Sequence, residues 1–218
     1  MKVIAIIPAR GGSKGIPRKN LVNYSGKPLM QWTIEAALES KYITDIIVSS
    51  DDDEILNEAQ KNKNVLALKR PLELAQDTSK TEPVLTHVLE SLNGVKYDYL
   101  ILLQPTSPLR TFKDIDTALK KISNTEATSL ISVCKLEHHP YKSFKINEKG
   151  FLEGIINNSF PFFPRQELPE TYRANGAIYI VKVSEFLKEG RLLTQKTIHF
   201  EMSKKHSLDI DSKKDLKC

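Results

Sequence analysis

The sequence predicts an α/β fold, a doubly wound and mostly parallel sheet of the Rossmann type, interrupted by one small arm. Three observations carry this. Short, uninterrupted apolar runs rich in β-branched residues recur at Val3–Ile7, Ile46–Ser50, Tyr99–Leu103 and Ser129–Val133, as strands buried on both faces require. Segments with apolar side chains at helical spacing separate them, which is the spacing of βαβ units. Each apolar run empties into a polar loop, and right-handed crossovers gather such loops at one edge of the sheet. From Leu136 to Tyr172 the alternation stops. The chain therefore divides into a core over 1–135, an arm over 136–172 and a return to the core over 173–218.

The first run, Val3–Ile7, leads into Pro8-Ala9-Arg10-Gly11-Gly12-Ser13-Lys14-Gly15-Ile16-Pro17-Arg18-Lys19-Asn20. This loop holds three glycines, four cations (Arg10, Lys14, Arg18, Lys19) and no acid. Glycines allow close backbone approach, and successive free N–H groups form an anion-binding hollow. Arginine adds a bidentate phosphate fork and lysine a mobile charge. That much positive charge suits a triphosphate. The spacing fits neither Gly-x-x-x-x-Gly-Lys-Ser/Thr nor Gly-x-Gly-x-x-Gly.

Further along, Gly26-Lys27-Pro28 reads as a turn opening a helix over Leu29–Leu38, with Met30 and Trp32 in the core. The run Asp51-Asp52-Asp53-Glu54 follows the second strand and reads as the cap of a helix reaching Lys61, in preference to a metal site. Val65–Leu68 is a short strand, and Asp77–Thr81 a hydroxyl-rich loop before a helix over Glu82–Leu92. Gln104-Pro105-Thr106-Ser107-Pro108-Leu109-Arg110 forms a stiff polar loop before a helix over Asp114–Ile122.

In the arm, Phe160-Pro161-Phe162-Phe163-Pro164-Arg165 cannot form an ordinary helix, and three exposed phenylalanines would make a sticky patch. An extended arm or hairpin packing on a second subunit is the expectation, with an internal flap over the core as its alternative. Asn175–Val181 resumes the sheet, and Ser184–Glu189 is a short helix. Ser207-Leu208-Asp209-Ile210-Asp211 reads as a strand with both carboxylates on one face. Two converging acids beside a triphosphate loop suit Mg2+, completed by phosphate oxygens and water. The alternative, Asp211 capping the next helix, stays open. The chain stops just as that helix starts, which reads as a truncated end.

Composition narrows the setting. The 218 residues carry a formal charge of +5 and 40% hydrophobic residues. Lysines are scattered rather than striped with aromatics, which argues against nucleic acid. No apolar run approaches the ~20 residues of a membrane span, and no secretory signal fits before the first strand. Cys134 and Cys218 supply neither a disulfide framework nor a metal spacing, so a reducing cytoplasm is the expected location.

Together the motifs resemble the acylneuraminate cytidylyltransferases, the CMP-sialic acid synthetases. The matching blocks are IPARGGSKGIPRKN (7–20), SSDD (49–52), QPTSPLR (104–110), EHHPYK (137–142), PRQELP (164–169), NGAIYI (175–180) and Asp209-Ile210-Asp211. The resemblance implies a nucleotide-diphospho-sugar transferase-like fold. It also implies attack by a sugar's anomeric hydroxyl on the α-phosphorus of CTP, releasing pyrophosphate. Arg10, Ser13, Lys14 and Lys19 would hold the triphosphate; Arg70 and the Asp77–Thr81 loop, with Asp77, Thr78 and Thr81, would help bind the nucleotide. Backbone near Ala9 and Gly11 would discriminate the base. Asp209 and Asp211 would hold Mg2+ and, with Arg10, Lys14 and Lys19, form the catalytic set. Asn20, Gln104 and Tyr179 would contact the acidic sugar, and a homodimer exchanging arms would add Lys142 and Arg165 from the neighbour. Leu192-Leu193 stand where similar sialic acid enzymes carry aromatics, and Thr81 replaces a serine. The implied sugar is accordingly any nine-carbon 2-keto acid sugar: sialic, legionaminic or pseudaminic. A transferase for the eight-carbon acid Kdo and a non-catalytic nucleotide-sugar binder are the competing readings.

Overall fold

The computed structural model describes residues 1–92 and 96–217; Cys218 lies outside them. Eleven strands and five α-helices are assigned among the described residues. In chain order the elements are β1 (Val3–Pro8), β2 (Asn23–Tyr24), β3 (Lys27–Pro28), α1 (Leu29–Leu38), β4 (Asp45–Ser50) and α2 (Asp53–Gln60). Next come β5 (Val65–Lys69), α3 (Thr81–Ser91), β6 (Tyr99–Leu102), α4 (Phe112–Ser123) and β7 (Ser129–Lys135). The arm carries β8 (Phe144–Ile146) and β9 (Leu152–Gly154), followed by β10 (Tyr172–Lys182), α5 (Val183–Glu189) and β11 (Thr197–Glu201).

Seven strands form one sheet in the order β11-β7-β10-β6-β1-β4-β5. All its pairings are parallel except those of β10, which runs antiparallel to both neighbours. The sheet is doubly wound because every central strand alternates its side chains between two helical layers. On β1, Val3, Ala5 and Ile7 join one buried cluster with Met30 and Ile34 of α1, Ile55 of α2, and Ile115 and Leu119 of α4. Ile4 and Ile6 face the other way, onto Leu85 and Val88 of α3 and Phe186 of α5. Each fully buried side chain of this size contributes about 1.5–3 kcal/mol.

Local chemistry places the helix starts. Asp52 accepts hydrogen bonds from the N–H groups of Glu54 and Ile55, so it caps α2 as the acid run predicts. Thr111 and Asp114 form a reciprocal capping box at α4. Met30 is fully buried, and the Trp32 indole donates to the Tyr24 carbonyl.

The structure departs from the sequence reading at three elements. Residues 207–211 are not a strand: the Ile210 N–H donates to the Thr106 carbonyl at 2.8 Å instead of pairing in the sheet. Strand β11 was not anticipated, because an edge strand alternates polar and apolar residues over only five positions. The β2–β3 ladder pairs Asn23 with Pro28 and Tyr24 with Lys27, adding sheet structure to what reads as a plain turn.

The arm leaves and re-enters the sheet at adjacent points, since Tyr172 pairs with Lys135. Its core is the β8–β9 hairpin, and Phe160–Phe162 forms a 3₁₀ turn. Phe162 and Ile146 are 79% and 74% exposed. Phe160, by contrast, is half-buried within the arm, against Tyr141 and Phe163.

Candidate active site at the strand ends

Parallel strands β1, β4, β5 and β6 end at the same edge, where their loops surround a cavity of about 330 Å³. Of the residues singled out in the sequence, Arg10, Ser13, Lys19, Asn20, Arg70, Asp77, Thr81, Gln104, Asp209 and Asp211 line it. Ala9, Gly11, Lys14, Thr78, Tyr179, Lys142 and Arg165 do not.

The basic loop is less uniformly free than its composition suggests. Arg18 leaves the cation set, because its guanidinium bonds Asp52 and Glu54 at 2.9–3.0 Å. Those two acids hold its pKa above the ordinary arginine value, the Glu54 hydrogen bond most of all. The Gly11 N–H is also taken, donating to Asp51 Oδ1 at 3.1 Å. Gly11 matters for space instead, since a Cβ there would sit 2.7 Å from Asp52 Oδ2.

Arg10 and Lys14 pair with Asp77 at 2.8 and 3.2 Å. The Lys14 contact chiefly, together with Arg10, holds the Asp77 carboxyl below the usual range. Asp77 is therefore a carboxylate lying against the two cations expected to receive phosphate. Arg70 is buried beside them, 3.6 Å from Asp51. Burial lowers its pKa, and Asp51 opposes that shift. Asp51 thus anchors both Gly11 and Arg70, a role that the run Asp51–Glu54 hides because four adjacent acids all read as cap.

On the opposite wall, the Lys19 ammonium donates to the Ile210 carbonyl at 2.8 Å and to Asp211 Oδ1 at 3.1 Å. Asn20 is buried, and its amide donates to the Arg10 carbonyl at 2.9 Å. Asp209 is held from below by the Ile210–Thr106 backbone bond. Burial raises its carboxyl pKa, Thr106 lowers it, and Asp211 raises it further. The Asp211 side chain pairs with Lys19 rather than with the next turn, and Asp215 accepts from the N–H groups of Asp211 and Ser212. Asp209 and Asp211 both line the cavity, from a segment that is not a strand.

These donors fit a hard divalent cation. Asp209 Oδ1 is buried with no hydrogen-bond partner, and Asp211 stands exposed at the rim. Among the described residues no group of three or more His, Cys, Asp or Glu could hold a metal. A site completed by ligand phosphates and water needs only one or two carboxylates.

Gln104 reaches the cavity from the loop after β6. The Gln104 carbonyl accepts from Arg110 Nη1 at 3.1 Å, and the same nitrogen donates to the Ala177 carbonyl at 2.8 Å. Arg110 is fully buried, and burial pulls its pKa down to about 9. Tyr179 packs in the second core layer beside Leu192, with its hydroxyl pKa raised by burial and then by Asp209. Lys142 sits in the arm, donating to the carbonyls of Pro161 and Phe163. Arg165 lines a separate surface hollow with Glu137 and His139. Residues near the site to which the sequence reading gave no role of their own include Thr106, Ser107, Asn175, Gly176 and Ser207. For Asn175 and Gly176 the signal was an Asn-Gly pair inside an otherwise apolar strand.

An open α/β sheet with a cation-lined cleft at its strand ends, two acids on the cleft wall and a glycine-rich loop after β1 defines a nucleotide-binding α/β protein. The chain belongs to the cytidylyltransferase family, whose sequence model matches residues 4–209. It is 34% identical over 217 residues to N-acylneuraminate cytidylyltransferase of Streptococcus agalactiae, covering 99% of this chain and 52% of that protein. It thus spans about half the length of those relatives. It is 30% identical to pseudaminic acid cytidylyltransferase of Campylobacter jejuni, covering 99% of this chain and 94% of that one. The solved structure of CMP:2-keto-3-deoxy-manno-octonic acid synthetase complexed with CTP superposes with a TM-score of 0.71 at 18% identity, over 100% of this chain and 96% of that one. That likeness concerns the fold.

Proposed function

We propose that the protein transfers CMP from CTP to a nine-carbon 2-keto acid sugar, releasing pyrophosphate. The observation that carries the reading is the meeting, in one cavity, of Arg10 and Lys19 with Asp209 and Asp211, in a chain similar to two enzymes named for such transfers. The anomeric oxygen of the sugar forms a bond to the α-phosphorus, the bond to pyrophosphate breaks, and the hydroxyl proton leaves to water. Arg10 and Lys14 exchange Asp77 for phosphate oxygens, and Lys19 secures the segment carrying the acids. Gln104 and Asn20 orient the acceptor. Catalysis rests on positioning and on charge neutralisation. Asp209 and Asp211 would hold Mg2+, which supplies further neutralisation of the phosphates.

The arm's exposed apolar face supports a homodimer in which Lys142 and Arg165 reach the neighbouring cavity. An ammonium has three N–H bonds and Lys142 uses two within its own arm, so one remains for a sugar carboxylate. No helix among the described residues is long and apolar enough to cross a membrane.

The test is pyrophosphate release with CTP and Mg2+ against sialic, legionaminic and pseudaminic acids and Kdo, with UTP as control. Turnover with a nine-carbon acid and CTP, lost on Asp209→Asn, is the expected result. Turnover with Kdo alone overturns the sugar class, and CTP binding without turnover on any acid supports a non-catalytic binder.

A further inference from the structure

Strand β10 does not run straight past the site. Ala174 pairs with Val133 but Tyr179 pairs with Ile131, so five steps along β10 match two along β7. The three extra residues form a bulge held by a fully buried polar knot. Asn175 Oδ1 accepts from Ser132 Oγ at 2.6 Å and from the Ala177 N–H at 3.2 Å. Ser132 Oγ in turn accepts from the Ile178 N–H at 2.7 Å.

The remaining capacity of Asn175 is aimed elsewhere. Its Nδ2 donates to Ser207 Oγ at 2.9 Å, across 32 residues, and Ser207 donates on to the Ser203 carbonyl at 2.8 Å. Asn175, Ser132 and Ser207 are each at most 2% exposed. Buried amides and hydroxyls of this kind are costly to leave unpaired, so the knot has one favourable arrangement. Ser207 lies two residues before Asp209.

The bulge touches the acceptor side as well. Gly176 has φ +77°, a backbone angle that glycine accepts without strain. A Cβ on Gly176 would sit 2.9 Å from Gln104 Oε1, 3.6 Å from Asp209 Oδ2 and 3.8 Å from Ser107 Oγ. One backbone position therefore abuts both the amide expected to orient the sugar and the carboxylate expected to serve the phosphates.

We propose that the buried Asn175–Ser207 hydrogen bond sets the placement of Asp209 against Gln104, making Asn175 and Ser207 positioning residues of the transfer reaction. The bond links the β10 bulge to the last residues before Asp209, beside a longer contact of the same Nδ2 with Met202 Sδ at 3.4 Å. His206 reaches Asp114 on α4 at 3.0 Å, and the ties of Ile210 to Thr106 and of Lys19 to Ile210 and Asp211 lie after the carboxylate. The inference rests on the transfer reading for its catalytic meaning, whereas the placement of Asp209 can be measured separately.

The experiment compares wild type, Ser207→Ala, Asn175→Ala, the double variant and the control Lys204→Ala by steady-state kinetics and by Mn2+ binding in the presence of CTP. Loss of a bond that orients a metal ligand typically lowers metal affinity or rate by roughly 10–100-fold. The expected result for Ser207→Ala is a Mn2+ affinity and kcat at least about tenfold lower, an unchanged KM for CTP, and a double variant no worse than Asn175→Ala. Lys204→Ala, whose exposed side chain pairs with Glu137, stays at wild type. A Ser207→Ala protein that melts lower yet keeps wild-type Mn2+ affinity overturns the inference and leaves the bond merely structural. Wild type that binds CTP and Mn2+ without turnover overturns the transfer reading alone, and the Mn2+ affinities still decide the positioning role.

Discussion

Side chains of one charge in one loop have different fates here. Arg10 and Arg18 are equivalent in the sequence, yet Arg10 lines the cavity and Arg18 is spent on Asp52 and Glu54. Charge-assisted hydrogen bonds contribute about 1.5–3 kcal/mol. Arg10→Ala should thus weaken CTP binding by roughly 10–100-fold in calorimetry, while Arg18→Ala should change it by less than about twofold. Asp209 offers a second comparison. Its pKa is raised by burial, so the native protein keeps that proton more tightly than the unfolded chain. Stability then falls as pH rises from the unfolded value through the native one, and the full deficit persists above it. Metal-free Asp209→Asn should accordingly melt higher than wild type at neutral pH. The difference should vanish below the ordinary carboxylate range, which a series of thermal melts in chelator would show. A variant that melts lower at neutral pH would contradict the burial argument.

Elements were legible wherever local chemistry decides them. The apolar runs of β1, β4, β6 and β7 and the caps at Asp52 and Thr111 follow from period and from side-chain oxygens at helix starts. The box at α4 is local, so Thr111→Ala should cost about 1 kcal/mol, a fall of about 2–4 °C in Tm by calorimetry. The CTP KM should not move, because Thr111 lies outside the cavity wall. What escaped was non-local. Residues 207–211 have the alternation of a strand, but the Ile210 N–H is taken by the Thr106 carbonyl in the loop after β6, so the segment lies at the strand ends outside the sheet. The bulge at Asn175-Gly176 likewise depends on Ser132, 43 residues away, and on Ser207, 32 residues away. No window of sequence contains those partners.

For the whole molecule, the arm is the feature on which the proposed homodimer turns. Phe162, Ile146 and Phe151 are largely exposed apolar side chains of the arm, which the proposed second subunit would cover. If Lys142 acts across that contact, Lys142→Ala and Asp209→Asn are each inactive alone. Mixing them with subunit exchange should restore up to about a quarter of wild-type turnover, because half the dimers are mixed and each has one intact site. No recovery at concentrations where light scattering shows dimers would place Lys142 in its own subunit. The sequence by itself determined the doubly wound sheet and the edge where its loops collect, because these follow from the period of the apolar runs and from the polar loops that succeed them. Only the tertiary structure decided that Arg18 and Gly11 are already engaged, that Asp77 lies against Arg10 and Lys14, and that Asn175 reaches Ser207. Those outcomes depend on which groups meet across tens of residues, where partner and geometry, rather than residue type, determine what a side chain is free to do.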